Sequence, residues 1–437
     1  MGALVVLVAP IACSPTPVPD RVPASDRAPL AAPVPGPDLS HVPPGVLLVS
    51  LDAVRADRLA VYGGPVPVPH LAALAESGVV FDDAATTFPE TAMSHWVMLT
   101  GVLPEVHGNV PAAGTSRYTG GTVAEILSAQ GWSTAAFIGG VTLLDRACGL
   151  SRGFGTYEDP IDPNDPDGSR PATEVVRDAQ AWIAGRTEPW FAFVHLFDAH
   201  YPYGRDPTDL APWMEERGAE APTATVEAAK TGYDERIQET DLALAPLLDR
   251  LPTSTTVIVT SDHGESFEHG YLFNHRAVLW DGVVSVPLVV RSPGLRPGRA
   301  EATVSLLDLA PTLLRLAGVA SDAPFQGKAL IEGGHVVSPA RSGVWFRTDP
   351  WSRRTHPLLG MRTPDWTVVW NDAGQAVSYD RHRDPGEERP QPPPPDHLSL
   401  RASYEEAVRG MEPFQKTLGP HREPTPWLNR LGYVDSD

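Results

Sequence analysis

The chain has 437 residues, which is enough for two or three domains and a large buried core. It carries 34 basic and 54 acidic side chains, a formal net charge of −20, and its basic residues form no block. Binding to a polynucleotide backbone needs clustered positive charge, so the composition argues against nucleic acid as a partner. The 42% apolar content excludes a disordered chain, and no apolar run reaches the roughly 20 residues of a membrane helix.

The N-terminus has the composition of an export signal followed by a spacer. Residues 1–13 (MGALVVLVAPIAC) form a short apolar run, and its last three residues resemble the end of a bacterial lipobox, in which the cysteine is lipidated. Residues 14–44 are rich in proline and alanine, a composition that favours a semi-rigid extended tether. We therefore expect a lipid anchor on Cys13 as the membrane contact, with the protein in the bacterial cell envelope, lipid-anchored, periplasmic or extracellular. The alternative is a disordered apolar N-terminus.

From residue 45 onward, continuous apolar runs alternate with helical patterns. The runs, typical of strands buried on both faces of a parallel sheet, lie at 45–51, 134–139, 190–197, 255–260 and 286–291. The helical patterns lie at 70–77, 92–99, 121–130, 172–185, 233–250 and 305–318. This alternation predicts an α/β fold with a doubly wound, mostly parallel sheet over residues 45–340. Shorter β-like pieces and a helical stretch at 400–411 predict a smaller C-terminal α+β part over residues 341–437.

Acids and imidazoles follow three of the predicted strands. Asp52 comes directly after the first, Asp198 and His200 after the third, and Asp262 and His263 after the fourth. In open α/β sheets the ligand site lies outside the carboxyl ends of the strands. A single acid at such a place is often a helix cap, but three strands ending in this way predict a metal or catalytic site.

A fourth element, TTFPETAMSHWVMLTG at 86–101, carries hydroxyl groups to the start of a predicted helix. Thr91 and Ser94 lie in its first turn, where unpaired N–H groups and the helix dipole favour an oxyanion. Taken alone, the segment indicates that one of these hydroxyls caps the helix.

Several segments together resemble the sulfatase branch of the alkaline phosphatase superfamily. They cover about residues 45 to 390 in the family's order and are specific for the fold. The matching segments are VLLVSLDAVRADRLAVYGG, VPHLAALAESGVVFDDA, TAMSHWVMLTGVLPEVHG, GWSTAAFIGG, RGFGTYED, FVHLFDAHYPY, VTSDHGESFEHG, VPLVVRSPG, SLLDLAPTLLRLAGV and YDRHRDPGEE.

The resemblance implies roles for six side chains. Asp52, Asp262 and His263 fall where the family binds a divalent metal, with Thr91 as a further candidate ligand. Thr91 falls where the family keeps its nucleophile. His200 and His275 fall where it keeps side chains that contact the anionic ester or the leaving group.

The sequence departs from the sulfatase pattern at two places. Sulfatases convert the first residue of C/S-x-P-x-R into formylglycine, whereas this chain reads Thr91-Ala92-Met93-Ser94-His95, and threonine cannot give that aldehyde. We therefore expect phosphate mono- or diesters to be favoured over sulfate esters, with a covalent ester on Thr91. A second acid often follows the first, but here Ala53 follows Asp52, which favours Mn²⁺, Zn²⁺ or Mg²⁺ over Ca²⁺. The two-metal phosphatases of the superfamily add a D-x-x-x-H pair, whereas only Asp198 and His200, two residues apart, follow the run at 190–197, so we expect a single ion.

Three alternatives to this phosphoesterase remain open at this point. One is a sulfatase that works without formylglycine, and another is a transferase of phospho-head groups that uses the same residues. The third is an inactive homologue that binds a glycan. The substrate is expected to be a small anionic ester, or an ester on an envelope or extracellular glycan or lipid head group.

Overall fold

A computed structural model of the chain describes residue 39 and residues 44–108, 118–162, 168–214, 220–338, 343–348 and 358–409. The predicted signal segment, Cys13 as the expected site of lipidation, and nearly all of the predicted tether lie outside these residues. The described residues belong to one compact unit that begins at Pro33. None of the helices in this part of the chain combines the length and apolar character of a membrane span.

The described strands, in chain order, are β1 (Gly45–Leu51), β2 (Val79–Ala85), β3 (Ser133–Ile138), β4 (Thr156–Glu158), β5 (Trp190–Leu196), β6 (Thr256–Thr260), β7 (Ser266–Glu268), β8 (Tyr271–Asn274), β9 (Ser285–Val286), β10 (Leu288–Arg291), β11 (Gly298–Ser305), β12 (Ile331–Glu332), β13 (His335–Val336), β14 (Val344–Arg347), β15 (Leu359–Arg362), β16 (Trp366–Trp370) and β17 (Ala376–Asp380). The α-helices are α1 (Pro69–Glu76), α2 (Thr91–Thr100), α3 (Pro104–His107), α4 (Val123–Ala129), α5 (Asp145–Cys148), α6 (Ala172–Ala184), α7 (Pro207–Met214), α8 (Thr223–Leu248), α9 (Asp281–Val284), α10 (Leu309–Leu316) and α11 (His397–Val408).

The large sheet is mixed but mostly parallel, with the order β11-β2-β10-β6-β1-β5-β3-β4 and β9 beside β2. Strand β1 is central and runs parallel to β5 on one side and to β6 on the other. Strand β10 is antiparallel to both β6 and β2, so β2 runs in the same direction as β1. The carboxyl ends of β1, β2, β5 and β6 therefore meet at one edge of the sheet.

Both faces of this sheet are covered, as a doubly wound fold requires. Alternate residues of β1 face opposite sides, Leu47 and Val49 packing with α1, α6 and α8, and Val46 and Leu48 packing with α2, α4 and α10. Burial on both sides explains why the central strands read as unbroken apolar runs rather than as alternating patterns. The predicted α/β class is confirmed.

Strands β2, β4 and β11 of the sheet are absent from the sequence prediction. In β2 the acids Asp82 and Asp83 interrupt the apolar run, but Asp83 is buried because Arg362 and Arg381 pair with it. Strand β11 lies at the sheet edge and leaves part of its length exposed, so it is too polar to read as a buried strand. Ion pairing and position at the sheet edge depend on the tertiary structure, so the local pattern of apolar residues does not reveal them.

The starts of α8 and α10 differ most from the predicted ones. Helix α8 begins ten residues before the predicted start at 233, because its first turns are partly exposed and show little apolar periodicity. Helix α10 begins at Leu309 rather than at the predicted residue 305, and Pro311 lies in its first turn, where a missing N–H costs nothing.

The C-terminal part contains the antiparallel sheet β14-β15-β16-β17 and helix α11. Arg362 of β15 is buried and pairs with Asp83 of β2 at 2.7 Å and with Asp281 of α9 at 2.6 Å. The expected smaller α+β part is therefore present and is tied to the large sheet by buried charge. Its predicted boundary at residue 341 stays a prediction.

Candidate active site

Four side chains meet where the carboxyl ends of β1 and β6 adjoin the start of α2. Asp52 follows β1, Asp262 and His263 follow β6, and Thr91 is the first residue of α2. Helix α2 reaches this place because β2, which precedes it, ends at the same edge as β1. All four side chains are fully buried. We call these four residues the strand-end cluster.

The polar atoms of the strand-end cluster lie close together. The Nε2 atom of His263 is 3.3 Å from the Thr91 hydroxyl oxygen, 3.4 Å from Asp262 Oδ2 and 3.7 Å from Asp52 Oδ1. The ligand atoms of Asp52, Asp262 and His263 lie within 4.8 Å of one another. This arrangement brings together every residue that the resemblance assigns to the metal.

The donor atoms fit a divalent cation. Among the described residues, neither Asp52 Oδ1 nor Asp262 Oδ2 has a hydrogen-bond partner, although both are buried. His263 donates its Nδ1 proton to the carbonyl of Gly264 at 2.8 Å, which leaves the Nε2 lone pair facing the two carboxylates. Two carboxylates, an imidazole and a hydroxyl suit Mn²⁺, Zn²⁺ or Mg²⁺, and an unpaired buried carboxylate oxygen is costly without such a partner.

The two carboxylates of the strand-end cluster also affect each other's protonation. Burial, and next the charge of Asp262, raise the pKa of Asp52 well above its usual range. Like charges placed together in a buried site have this effect, and a bound cation removes it. The electrostatics of the protein without metal therefore agree with a site built for positive charge.

The cap of α2 is neither of the two hydroxyls considered from the sequence. Glu90 is the N-cap, and its carboxylate accepts a hydrogen bond from the Met93 amide at 3.1 Å. Ser94 donates its hydroxyl to the carbonyl of Asp262 at 2.8 Å. The capping interpretation of the segment is therefore wrong, and the Thr91 hydroxyl faces His263 of the strand-end cluster instead.

His200 and His275 lie beside the strand-end cluster. The His275 ring stacks on the His263 ring with centroids 3.7 Å apart, and the half-buried His200 ring meets His275 edge-on at 5.7 Å. His275 donates its Nδ1 proton to the Pro89 carbonyl at 2.7 Å. Burial lowers the pKa of His275 well below its ordinary value and that of His200 to about 3, so both rings are neutral near pH 7. All six predicted site residues thus share one region.

Two further histidines belong to this region, and the sequence did not identify either as a site residue. His195 of β5 donates its Nε2 proton to Asp52 Oδ2 at 3.0 Å. His95 of α2 donates its Nδ1 proton to the Thr91 carbonyl at 2.6 Å and accepts a hydrogen bond from Ser50 at 2.9 Å. A histidine inside an apolar strand run gives no periodic signal. His195 is recognised as part of the site only because β5 pairs with β1, the strand that Asp52 follows.

The hydrogen bonds of His95 oppose a second metal position formed by His95, His195 and Asp262. Ligand atoms of these residues also lie within 4.8 Å of one another. The Nδ1 atom of His95 is nevertheless 2.6 Å from the Thr91 carbonyl oxygen, so it must carry a proton and has no lone pair for a metal. The number of ions stays a prediction.

Asp198, the other acid at a strand end, has a structural role. Its carboxylate accepts hydrogen bonds from the first amide of α6, Ala172 N, at 3.0 and 3.2 Å. Burial raises the pKa of Asp198 to about 6. Of the acids that follow β1, β5 and β6, it is the one that caps a helix rather than facing the strand-end cluster.

Comparison with known proteins agrees with this architecture. The family profile named Sulfatase matches residues 44–319. An ulvan-active sulfatase from Formosa agariphila is 24% identical over 404 residues, which span 78% of this chain and 76% of that protein. Human arylsulfatase A is 26% identical over 332 residues, 63% of this chain and 64% of that protein.

Solved structures share the fold at lower sequence identity. The phosphonate monoester hydrolase of Agrobacterium radiobacter superposes with a TM-score of 0.68 at 21% identity, covering 84% of this chain and 95% of that one. A 2-O GAG sulfatase superposes with a TM-score of 0.67 at 18% identity, covering 84% and 91%. The profile match over more than half of the residues, together with this shared fold, identifies the chain as a member of the sulfatase family, within the sulfatase and alkaline phosphatase superfamily of hydrolases.

Proposed function

We propose that the protein is a metal-dependent hydrolase of phosphate mono- or diesters that acts through a covalent ester on Thr91. The position of the Thr91 hydroxyl carries this proposal. Thr91 is the first residue of α2, and its hydroxyl does not cap the helix. The hydroxyl oxygen lies 3.3 Å from His263 Nε2. Beside it are two carboxylate oxygens that have no hydrogen-bond partner among the described residues. A hydroxyl in such a place is suited to act as a nucleophile when a cation occupies the cluster.

The residues would divide the reaction between them. Asp52, Asp262 and His263 would hold the cation, which lowers the pKa of the Thr91 hydroxyl and offsets charge on the ester. The Thr91 hydroxyl would release its proton to water, and its oxygen would form a bond to phosphorus while the bond to the leaving alcohol oxygen breaks. The leaving oxygen would take a proton from water on the side of the partly exposed His200. Water then cleaves the Thr91 ester and restores the free hydroxyl.

The choice of phosphate over sulfate rests on the identity of residue 91. Threonine cannot be converted to formylglycine, the group on which the C/S-x-P-x-R motif of sulfatases depends. Sulfate ester hydrolysis without formylglycine is the second candidate, favoured by the sulfatases among the relatives, and the phosphonate monoester hydrolase supports the first.

The natural substrate is proposed to be an anionic ester carried by a glycan or a lipid head group of the envelope or its surroundings. Relatives named for ulvan and for D-glucosamine-2-N,6-O-disulfate support a glycan. An N-terminal lipid on Cys13 with the tether of residues 14–44 would hold the enzyme at a membrane surface near such material. A transferase would use the same residues and differ in passing the covalent group to an alcohol instead of water.

The proposal is tested by a matched panel of substrates and metals on the full chain. An aryl phosphate, an aryl phosphodiester and an aryl sulfate are each assayed with Mn²⁺, Zn²⁺, Mg²⁺ and Ca²⁺. Thr91→Val keeps the shape of the side chain and removes the hydroxyl, whereas Thr91→Ser keeps the hydroxyl. Quenching single turnovers with acid and measuring the mass of the chain detects the covalent ester.

Turnover of a phosphate ester that Thr91→Ser retains and Thr91→Val loses is the expected result. Sulfate turnover that survives Thr91→Val would refute the mechanism and favour the sulfatase. Metal binding without turnover of any ester would point to a glycan-binding homologue or a selective transferase, and adding an alcohol acceptor separates those two.

A further inference from the structure

His195 lies on the side of the sheet that faces α2. It is the register partner of Ser50 in the parallel pairing of β1 with β5, so the two side chains project from the same face. Farther along this face the corresponding residues, Leu48 and Phe193, are apolar and belong to the core. The imidazole is fully buried at the last position that β5 contributes to this face, and it contacts Asp52 of the strand-end cluster.

The contacts of His195 link it to one carboxylate of the strand-end cluster. Its Nε2–H group donates to Asp52 Oδ2 at 3.0 Å. The other oxygen of this carboxylate, Oδ1, has no hydrogen-bond partner among the described residues and lies 3.7 Å from His263 Nε2. The hydrogen bond to Oδ2 therefore fixes the rotation of the carboxylate. In this orientation Oδ1 points toward the proposed position of the cation.

Packing fixes the imidazole itself. The rings of His95, at 5.0 Å and nearly perpendicular, and of Phe197, at 6.0 Å, enclose it. Its Nδ1 atom is buried and has no partner within the described part of the chain. Burying a polar atom in this way costs free energy that an apolar residue would avoid, so packing alone does not account for an imidazole here.

We infer that His195 is a positioning residue for the metal: it orients Asp52 through Nε2–H and so sets the affinity of the strand-end cluster for a divalent cation. The inference rests on the metal site of the proposed function but not on the identity of the ester. Hydrogen bonds to a liganding group from outside the ligand set commonly change metal affinity by about 10- to 100-fold.

Two amide substitutions separate this role from a purely structural one. His195→Gln places an N–H group near the position of Nε2, whereas His195→Asn places one near the position of Nδ1. Both variants of the full chain are titrated with Mn²⁺ by calorimetry after removal of bound metal with EDTA. Urea unfolding in EDTA reports what each substitution costs the fold.

The expected result is Mn²⁺ affinity close to wild type in His195→Gln and about 10- to 100-fold weaker affinity in His195→Asn. Equal losses in both variants, or no loss in either, would overturn the inference, as would a wild-type chain that binds no Mn²⁺. A wild-type chain that binds Mn²⁺ but cleaves no ester would remove the proposed function, while the affinities of the two variants would still decide the role of His195.

Discussion

Replacing Asp262 by asparagine should separate the stability of the protein from its ability to bind metal. The Oδ1 atom of Asp262 accepts hydrogen bonds from the amides of Ala53, at 3.2 Å, and of His263, at 2.9 Å. An asparagine retains that oxygen and its two bonds. It puts an NH₂ group in place of Oδ2, the oxygen that faces the strand-end cluster without a partner among the described residues. The local backbone should therefore survive while the metal loses a charged ligand.

The difference in free energy of unfolding between Asp262→Asn and the wild type should change sign when metal is added. Asp52 and Asp262 place ligand oxygens within 4.8 Å of each other, and two unit charges at that distance repel by about 1 kcal/mol in water and about 3 kcal/mol at an effective dielectric constant near 20. Without metal, and at a pH above the raised pKa of Asp52 so that both carboxylates are ionised, Asp262→Asn should raise the free energy of unfolding by about 1–3 kcal/mol. With Mn²⁺ at 100 times its Kd, the free energy of unfolding of the wild type should rise by about 2.7 kcal/mol. Asp262→Asn should not show this increase.

Urea unfolding followed by tryptophan fluorescence measures both quantities, once in EDTA and once in Mn²⁺. Asp241→Asn is the matched control, because Asp241 is a buried carboxylate that accepts hydrogen bonds from the amides of His70 and Leu71, away from the strand-end cluster. That control should respond to Mn²⁺ as the wild type does. The order of stability of Asp262→Asn and wild type should reverse between EDTA and Mn²⁺.

Two results would refute this reasoning. If Asp262→Asn were less stable than the wild type in EDTA, repulsion between the two carboxylates would not be the main destabilising effect of Asp262 in the metal-free protein. If Mn²⁺ stabilised Asp262→Asn as much as the wild type, Asp262 would not be a ligand.

Three further predictions concern other parts of the chain. Burial raises the pKa of the Cys148 thiol to about 12, so in a Cys13→Ser variant an aryl disulfide reagent at pH 8 should label Cys148 after denaturation but not before. Burial raises the pKa of Glu387 to about 7, so the stability contributed by its protonated form is full below the ordinary value of 4.5 and is lost as pH rises through about 7. Glu387→Gln should flatten that slope and raise Tm at pH 8, whereas a parallel decrease at all pH values would contradict it. Arg362→Met should destabilise the fold by about 3 kcal/mol in urea unfolding, because it leaves Asp83 and Asp281 without this partner; a change below about 1 kcal/mol would show that the pairs are replaceable.

The sequence alone was sufficient for the fold class and for the residues of the strand-end cluster. Apolar runs such as 45–51 are local patterns, and so is an acid that directly follows one, as Asp52 does. Because parallel strands end at the same edge of a sheet, these local patterns already predict that side chains distant in sequence will meet. The family resemblance added His275 and the role of Thr91, whose hydroxyl the residues alone assigned to a helix cap.

Tertiary structure decided the features that depend on a neighbour from elsewhere in the chain. Asp83 reads as a break in an apolar run until Arg362 and Arg381 neutralise it inside the structure. Asp198 looks equivalent to Asp52 until the start of α6 takes its carboxylate.

The role of His195 depends on strand order in the same way. Nothing in the run WFAFVHLF distinguishes its histidine from the apolar residues around it, because both faces of a central strand are buried. Only the pairing of β1 with β5 brings its Nε2–H group to Asp52. Local sequence thus determined which residues end the strands, and packing determined which of them face the cluster and which side chains hold them in place.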